Sequence, residues 1–274
     1  MATYVVTGVS RGIGYAFLPL LSKDSNNTVV GIVRNKAATL DKISKDAELK
    51  ERSNIHILEA DLTSYNALKK AAAETATITG GSIDYLISNA GYIPLFDAYD
   101  PIDDLVSSKP QETTEELKKA LDVNVIGQVH LFNVFMPQIL KGKVKKVVSL
   151  STGLADLDLT NDLDVFTGAL YSISKAAANM AIAKFSAQYK PHGVLFISVA
   201  PGLVDTGLYN NASEEELGKL GGLMGKFKEY KPDFSGPVTP ETSVRDVQAV
   251  WESKSVENGD GGAFLSQFGD KQWL

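Results

Sequence analysis

Residues 4–14, Tyr-Val-Val-Thr-Gly-Val-Ser-Arg-Gly-Ile-Gly, restrict this chain's fold more than any other stretch. Tyr4 to Thr7 is a short β-branched and aromatic run, the composition of a strand buried in a parallel sheet. Gly8, Gly12 and Gly14 punctuate the turn that follows, and a helix begins there. The first amides of that helix lack partners within it, and the helix dipole adds partial positive charge, so a phosphate anion is the natural occupant. Gly8 permits the tight turn, while Gly12 and Gly14 let a ligand and the sheet approach backbone that carries no Cβ. The stretch has a competing reading. Gly8-Val9-Ser10-Arg11-Gly12 also spells the nucleophile elbow of α/β-hydrolases, with Ser10 as nucleophile. That elbow normally follows several strands and needs a later acid and then a histidine. Only one strand fits before Ser10, and the histidines are His56, His130 and His192.

Composition narrows the classes. With 274 residues, 44% of them hydrophobic, the chain can bury a full core, and one domain over residues 1–274 is expected. A formal net charge of −6 argues against nucleic acid or an anionic membrane as partner. The chain has no cysteine, which excludes disulfides, thiolate catalysis and zinc-thiolate sites. The acids Asp97, Asp100, Asp103 and Asp104 have no histidine partners and no calcium-loop spacing, so no metal is expected. The first strand starts at about Thr3 and no apolar run approaches a membrane span, so the expectation is a soluble, cytoplasmic protein.

Strands and helices then alternate. The first helix contains Pro19, expected in or near its first turns. The second strand, Thr28 to Val33, delivers Arg34 to its carboxyl end, twenty residues beyond Gly14. From that position an acid binds the ribose 2′-hydroxyl of NAD, or an arginine accepts the 2′-phosphate of NADP. No acid lies between Val29 and Lys36, which favours NADP(H), with Arg11 as a second cation. An ordinary surface charge is the alternative for Arg34. A polar helix over 36–51 and a third strand, Ile55 to Glu59, lead to Asp61-Leu62; Asp61 either joins the crevice or caps the next helix. A fourth strand, Asp84 to Ser88, ends in Asn89-Ala90-Gly91. This alternation implies right-handed βαβ crossovers and a doubly wound parallel sheet, a Rossmann-type α/β fold with Gly8, Arg34 and Asp61 on one crevice.

The second half carries the chemistry. Residues 92–111 read as an irregular excursion, and Thr113 with Glu116 as the capping box of a long helix. Its stripe puts Asn124 on the buried face, as a hydrogen-bond hub or as part of a site. A fifth strand, Val147 to Leu150, delivers Ser151 and Thr152 to the carboxyl edge. Tyr171 and Lys175 then lie four apart on one helix, one above the other. A nearby ammonium favours phenolate, making Tyr171 a candidate general acid and base; the alternative is a half-buried ring beside a snorkelling amine. A sixth strand, Val194 to Val199, ends in Pro201-Gly202. Residues 207–238, polar and glycine-rich, suit a mobile lid, before a last helix opened by Pro240 and an edge strand over 262–266.

Together, Thr7-Gly8-Val9-Ser10-Arg11-Gly12-Ile13-Gly14, Asp61-Leu62, Asn89-Ala90-Gly91, Asn124, Ser151-Thr152, Tyr171-x-x-x-Lys175 and Pro201-Gly202-Leu203-Val204-Asp205-Thr206 resemble the short-chain dehydrogenase/reductase family over nearly the whole chain. The resemblance implies an NADP(H)-dependent carbonyl reductase, or an alcohol dehydrogenase in reverse, with a small carbonyl or alcohol as substrate. It also implies that Gly8, Ile13, Asp61 and Asn89 surround the adenosine and pyrophosphate, and that Val204 and Thr206 hold the nicotinamide carboxamide. Tyr171 would pass a proton to the carbonyl oxygen, Lys175 would bind the ribose and lower the tyrosine pKa, and Asn124 would hold a water. The family's usual serine pair is Ser151-Thr152 here, which leaves either hydroxyl as the polarising group. A homodimer or homotetramer through the helices of Asn124 and Tyr171 is expected. The competing class is a catalytically silent NADPH sensor on the same fold.

Overall fold

The computed structural model describes residues 1–274. Its strands are β1 (Thr3–Thr7), β2 (Thr28–Val33), β3 (Ile55–Glu59), β4 (Tyr85–Ser88), β5 (Lys146–Leu150), β6 (Leu195–Val199) and β7 (Phe264–Leu265). They form one sheet in the order β3-β2-β1-β4-β5-β6-β7, every pair parallel. Strands that read as continuous apolar runs are those covered on both faces. Along β1 the alternation of Cβ directions sends Tyr4 and Val6 to one core and Val5 to the other. The strand order reverses between β1 and β4, where Tyr4 pairs with both Val29 and Tyr85. A crevice opens outside the carboxyl ends at such a reversal.

On one face α1 (Gly12–Leu21), α2 (Lys36–Lys45) and α10 (Pro240–Ser253) cover a core that contains Phe17 and Trp251. On the other, α3 (Tyr65–Thr79), α6 (Gly127–Ile139) and α8 (Ala169–Tyr189) cover Leu68, Phe132, Phe135 and Ile182. No helix is long and apolar enough to cross a membrane.

Several elements depart from the sequence reading. Pro19 is the eighth of ten residues of α1, not in its first turns, and the helix stops two residues later. The polar helix α2 ends at Lys45, short of Glu51. Residues 92–111 are not wholly irregular, since α4 (Ile102–Ser108) lies there and α5 (Pro110–Leu121) starts at Pro110. Thr113 is therefore inside a helix: its hydroxyl donates to the carbonyls of Lys109 and Leu105, while Glu116 accepts from the Tyr92 hydroxyl. Residues 153–168, on which no element was expected or excluded, hold a short 3₁₀ turn and α7 (Leu157–Asp162). The expected lid holds a seventeen-residue helix, α9 (Glu214–Tyr230), with a genuine capping box of Ser213 and Glu216. The base of this excursion is closed by a parallel bridge between Val204 and Val238.

Between α5 and α6 the helix widens into a π segment, Asp122–Ile126, a distortion frequent at functional sites. Asn124 lies within it and is fully buried.

Candidate active site

The crevice is built first by glycine. Gly8 has φ 77°, and a Cβ there would sit 2.9 Å from the Ala90 Cα, so β1 and β4 close against each other only without a side chain. A Cβ on Gly14 would overlap the Gly8 carbonyl, and one on Gly12 would come 3.2 Å from Thr206 Cγ2 on the opposite wall. Asn89 ties the strand ends together. Its Nδ2 donates to the carbonyls of Thr7 (2.9 Å) and Gly8 (3.3 Å), and the Thr7 hydroxyl accepts from the amides of Asn89 and Ala90.

Beside the glycine turn lies a cavity of about 470 Å³ lined by Ser10, Arg34, Asn35, Ala38 and Thr39. Asn35 caps α2 through its side chain, accepting from the Ala38 amide at 2.9 Å. Arg34 is exposed and makes no salt bridge, and the nearby Asp61 feels its charge. Burial works against ionising Asp61, yet the Thr63 amide and hydroxyl and Arg34 together hold its carboxyl below the usual range. Asp61 does not cap α3; Ser64 does, accepting from the Ala67 amide. Leu62 is buried under Gly127. Arg11 is an exposed residue at the start of α1 and does not line the cavity. Lys42 reaches the turn instead, with Nζ 3.3 Å from the Ser10 carbonyl and 3.7 Å from the Tyr15 ring centre. No histidine lines the cavity beside Ser10, and His56 lies near the amino end of β3, away from that edge. The elbow reading therefore has no base.

At the carboxyl ends of β4 and β5 a second group converges. Lys175 is 4% exposed; its Nζ donates to the Leu150 carbonyl at 2.8 Å and lies 5.9 Å from the Tyr171 ring centre. A Cβ on Gly91 would be 3.5 Å from that Nζ and 3.2 Å from Asn124 Oδ1. Burial lowers the Lys175 ammonium to about 8 and raises the Tyr171 phenol well above its ordinary value, with Tyr209 adding to the rise. The expected depression of the tyrosine by its lysine is thus reversed in the protein alone, because burial outweighs an ammonium that leans toward Leu150.

Asn124 is a hub. Its Oδ1 accepts from the Tyr92 amide (2.8 Å), and its Nδ2 donates to the Tyr92 carbonyl (2.8 Å) and to Ser174 Oγ (2.9 Å). Ser174 in turn donates to the Tyr171 carbonyl at 2.7 Å. Ser151 is buried and donates to Asn179 Oδ1 (2.8 Å), whereas Thr152 accepts from the Leu154 amide (3.3 Å). Pro201 is fixed by Ser243, whose hydroxyl donates to its carbonyl, and Gly202 turns the chain at φ 80° toward Val204 and Thr206.

The sequence profile described as short chain dehydrogenase matches residues 2–217. The chain belongs to this family. The short chain dehydrogenase virK of Hypocrea virens is 55% identical over 274 residues, covering all of both chains. The short-chain dehydrogenase/reductase iacC of Pestalotiopsis fici is 50% identical over 275 residues, again covering all of both. Among solved structures, an NADPH-bound carbonyl reductase from chicken fatty liver superposes with a TM-score of 0.73 at 23% identity, over 98% of each chain. The carbonyl reductase Sniffer of D. melanogaster superposes with a TM-score of 0.75 at 22% identity, also over 98% of each. At these identities the structures establish the fold.

In this short-chain dehydrogenase, sequence reasoning missed Asn35, Lys42, Asp97, Ser174, Asn179 and Tyr209. Ser174 was within reach, being one residue before Lys175, and Asn35 carries the N-cap signal of a helix start. The others are brought in from distant segments.

Proposed function

We propose that this short-chain dehydrogenase is an NADP(H)-dependent reductase of ketones or aldehydes, working as an alcohol dehydrogenase when the cofactor ratio reverses. The carrying observation is the convergence of Tyr171, Lys175, Asn124 and Gly91 at one end of a glycine-lined crevice. The other end offers an unpaired guanidinium. NADPH in the chicken relative and NADP in a Burkholderia cenocepacia relative lend weight to the cofactor. A bound nicotinamide supplies or accepts the hydride.

Gly8, Ser10, Gly12, Ile13 and Gly14 hold the pyrophosphate in this reading, and Asp61, Leu62 and Asn89 to Gly91 flank the adenosine. Arg34, with Lys42 nearby, receives the 2′-phosphate, while Pro201 to Thr206 meet the carboxamide. Burial keeps the Tyr171 phenol protonated through the neutral range, the state required to give a proton to a carbonyl oxygen. Lys175 binds the ribose, and its ammonium draws the phenol down once the two are brought into register. Thr152, not Ser151, polarises the carbonyl: Ser151 spends its proton on Asn179, while the Thr152 hydroxyl only accepts and keeps its own proton free. The Asn124 side chain is tied to Tyr92 and Ser174, so it holds the β4 exit loop against α8. Exposed Ile126, Ile173 and Met180 support association of copies through the helices around α8.

Tyr171→Phe is expected to lower turnover by roughly three to four orders of magnitude while NADPH still binds, measured by NADPH oxidation with a ketone panel and by fluorescence titration. Measurable turnover that is equal in the variant sinks the mechanism, whereas a parent that binds NADPH and turns over no ketone or aldehyde leaves the sensor. Arg34→Ala should weaken NADPH roughly tenfold or more and NADH hardly at all, since one charge-assisted contact is worth about 1.5–3 kcal/mol. Equal losses would refute the phosphate assignment.

A further inference from the structure

The helix that carries Tyr171 and Lys175 has no cap of its own. Gly168 stands at the N-cap with φ 66° and offers no side-chain acceptor, yet the first amides of a helix need one. The acceptor comes from 73 residues upstream: Asp97 Oδ2 accepts from the Leu170 amide at 2.6 Å. The same oxygen accepts from the Tyr171 amide at 3.3 Å, and the Asp97 carbonyl accepts from the Gly168 amide at 2.7 Å. Asp97 has no solvent exposure, and its Oδ1 has no partner. A buried, half-satisfied carboxylate is a costly way to cap a helix, and a serine or asparagine at the helix start would do it locally.

We propose that Asp97 is a positioning residue, a cap supplied in trans by the β4 exit loop that fixes where α8 starts and therefore where the Tyr171 phenol stands in the crevice. The proposal rests on the reading of Tyr171 as proton donor. Its geometric support is that the Tyr171 amide, in the first turn where the helix offers no acceptor, is held by Asp97 from outside, while Ser174 of the same helix donates to the Tyr171 carbonyl. The loop is pinned twice, on α8 at Asp97 and at Tyr92 on Asn124. The ionisable groups that bear on the carboxyl are Glu116 of α5 and Tyr209 of the lid segment. Burial raises the Asp97 carboxyl and Glu116 adds to the rise, against the pull of the amides. A proton taken up there goes to the free Oδ1, which leaves Oδ2 accepting from both amides. The cap thus depends on an oxygen at that place and not on its charge.

The test compares Asp97→Asn, which keeps the acceptor, with Asp97→Ala, which removes it. Hydrogen exchange at the α8 amides, NADPH binding and the separate kcat and KM for a reducible ketone are read in each. Asp97→Asn should keep the protection of Leu170 and Tyr171 and stay within about threefold of the parent kcat. Asp97→Ala should lose that protection and drop kcat on the order of tenfold to a hundredfold, with NADPH affinity within about twofold. If it does not fold, Asp97→Ser, with too short a reach, replaces it. A truncated variant with parental kcat, or an Asn variant that loses as much as the truncated one, overturns the proposal. If the parent reduces no ketone or aldehyde, the functional reading falls, and exchange at Leu170 and Tyr171 still decides whether the cap exists.

Discussion

Lys175 carries a charge in surroundings that resist one. It is 4% exposed, its single protein partner is the Leu150 carbonyl, and burial brings its ammonium from 10.5 to about 8. The folded value lies below the unfolded one, so the charged form is penalised by folding, fully so below pH 8. As pH rises from about 8 to 10.5 the folded chain has released the proton and the unfolded chain has not, and stability recovers. At about 1.4 kcal/mol per pH unit the penalty is on the order of 3 kcal/mol at neutral pH. Lys175→Met should therefore be more stable than the parent at pH 7 by about 1–2 kcal/mol, after subtracting the lost hydrogen bond to Leu150, while its turnover collapses. The gain should shrink as pH rises and turn into a loss of about 1 kcal/mol by pH 10.5, where the ionisation penalty is nearly gone and only the lost hydrogen bond remains. Urea unfolding at pH 7, 8.5 and 10 measures it, and a variant less stable than the parent at pH 7 would show that burial is not the controlling cost.

Elements place these residues, and β2 supports the glycine turn from beneath. A Cβ on Gly31 would overlap Val9 Cγ2 in the turn and come 2.9 Å from Ile57 Cδ1 of β3. Gly31→Ala should cost about 1–3 kcal/mol by overpacking and, by lifting Val9, weaken NADPH binding. Unfolding and cofactor titration read the two effects; a stability cost with unchanged NADPH affinity would uncouple the turn from β2. Much of this layer was legible in the sequence, because Val29 to Val33 of β2 runs without a polar side chain and Tyr171 and Lys175 share a helical face by spacing alone. The π segment was not, since its bonds at Asn124 are made by Tyr92 and Ser174, 32 and 50 residues away. Asp97 was hidden for the same reason and read as one acid among several. In α9, four glycines suppressed the helical reading, although Ser213 with Glu216 held the capping signal that was instead assigned to Thr113.

At the scale of the whole molecule, the excursion beyond Val204 lies against the Tyr171 end of the crevice. Tyr209 and Tyr99 meet edge to face at 6.2 Å, and Lys226 donates to the carbonyls of Leu163 (2.9 Å) and Asp164 (2.8 Å). Lys219 pairs with Asp100 at 2.6 Å, but both are substantially exposed and such pairs contribute little. The helix α9 carries Gly218, Gly221, Gly222 and Gly225, and a Cβ at any of them would meet nothing within 4 Å. Each glycine weakens the helix by about 1 kcal/mol relative to alanine, so α9 is locally marginal and unwinding is its expected way of opening if the segment acts as a lid. Replacing all four by alanine should increase amide protection across α9 by several kcal/mol on that scale, move the global unfolding midpoint far less, and slow turnover if product leaves through the lid. Hydrogen exchange, denaturant unfolding and pre-steady-state kinetics separate the three. Slowed product release with an unchanged hydride step would identify unwinding as the gate. Parental turnover in a variant whose α9 is demonstrably stiffened would show that unwinding of α9 does not limit release.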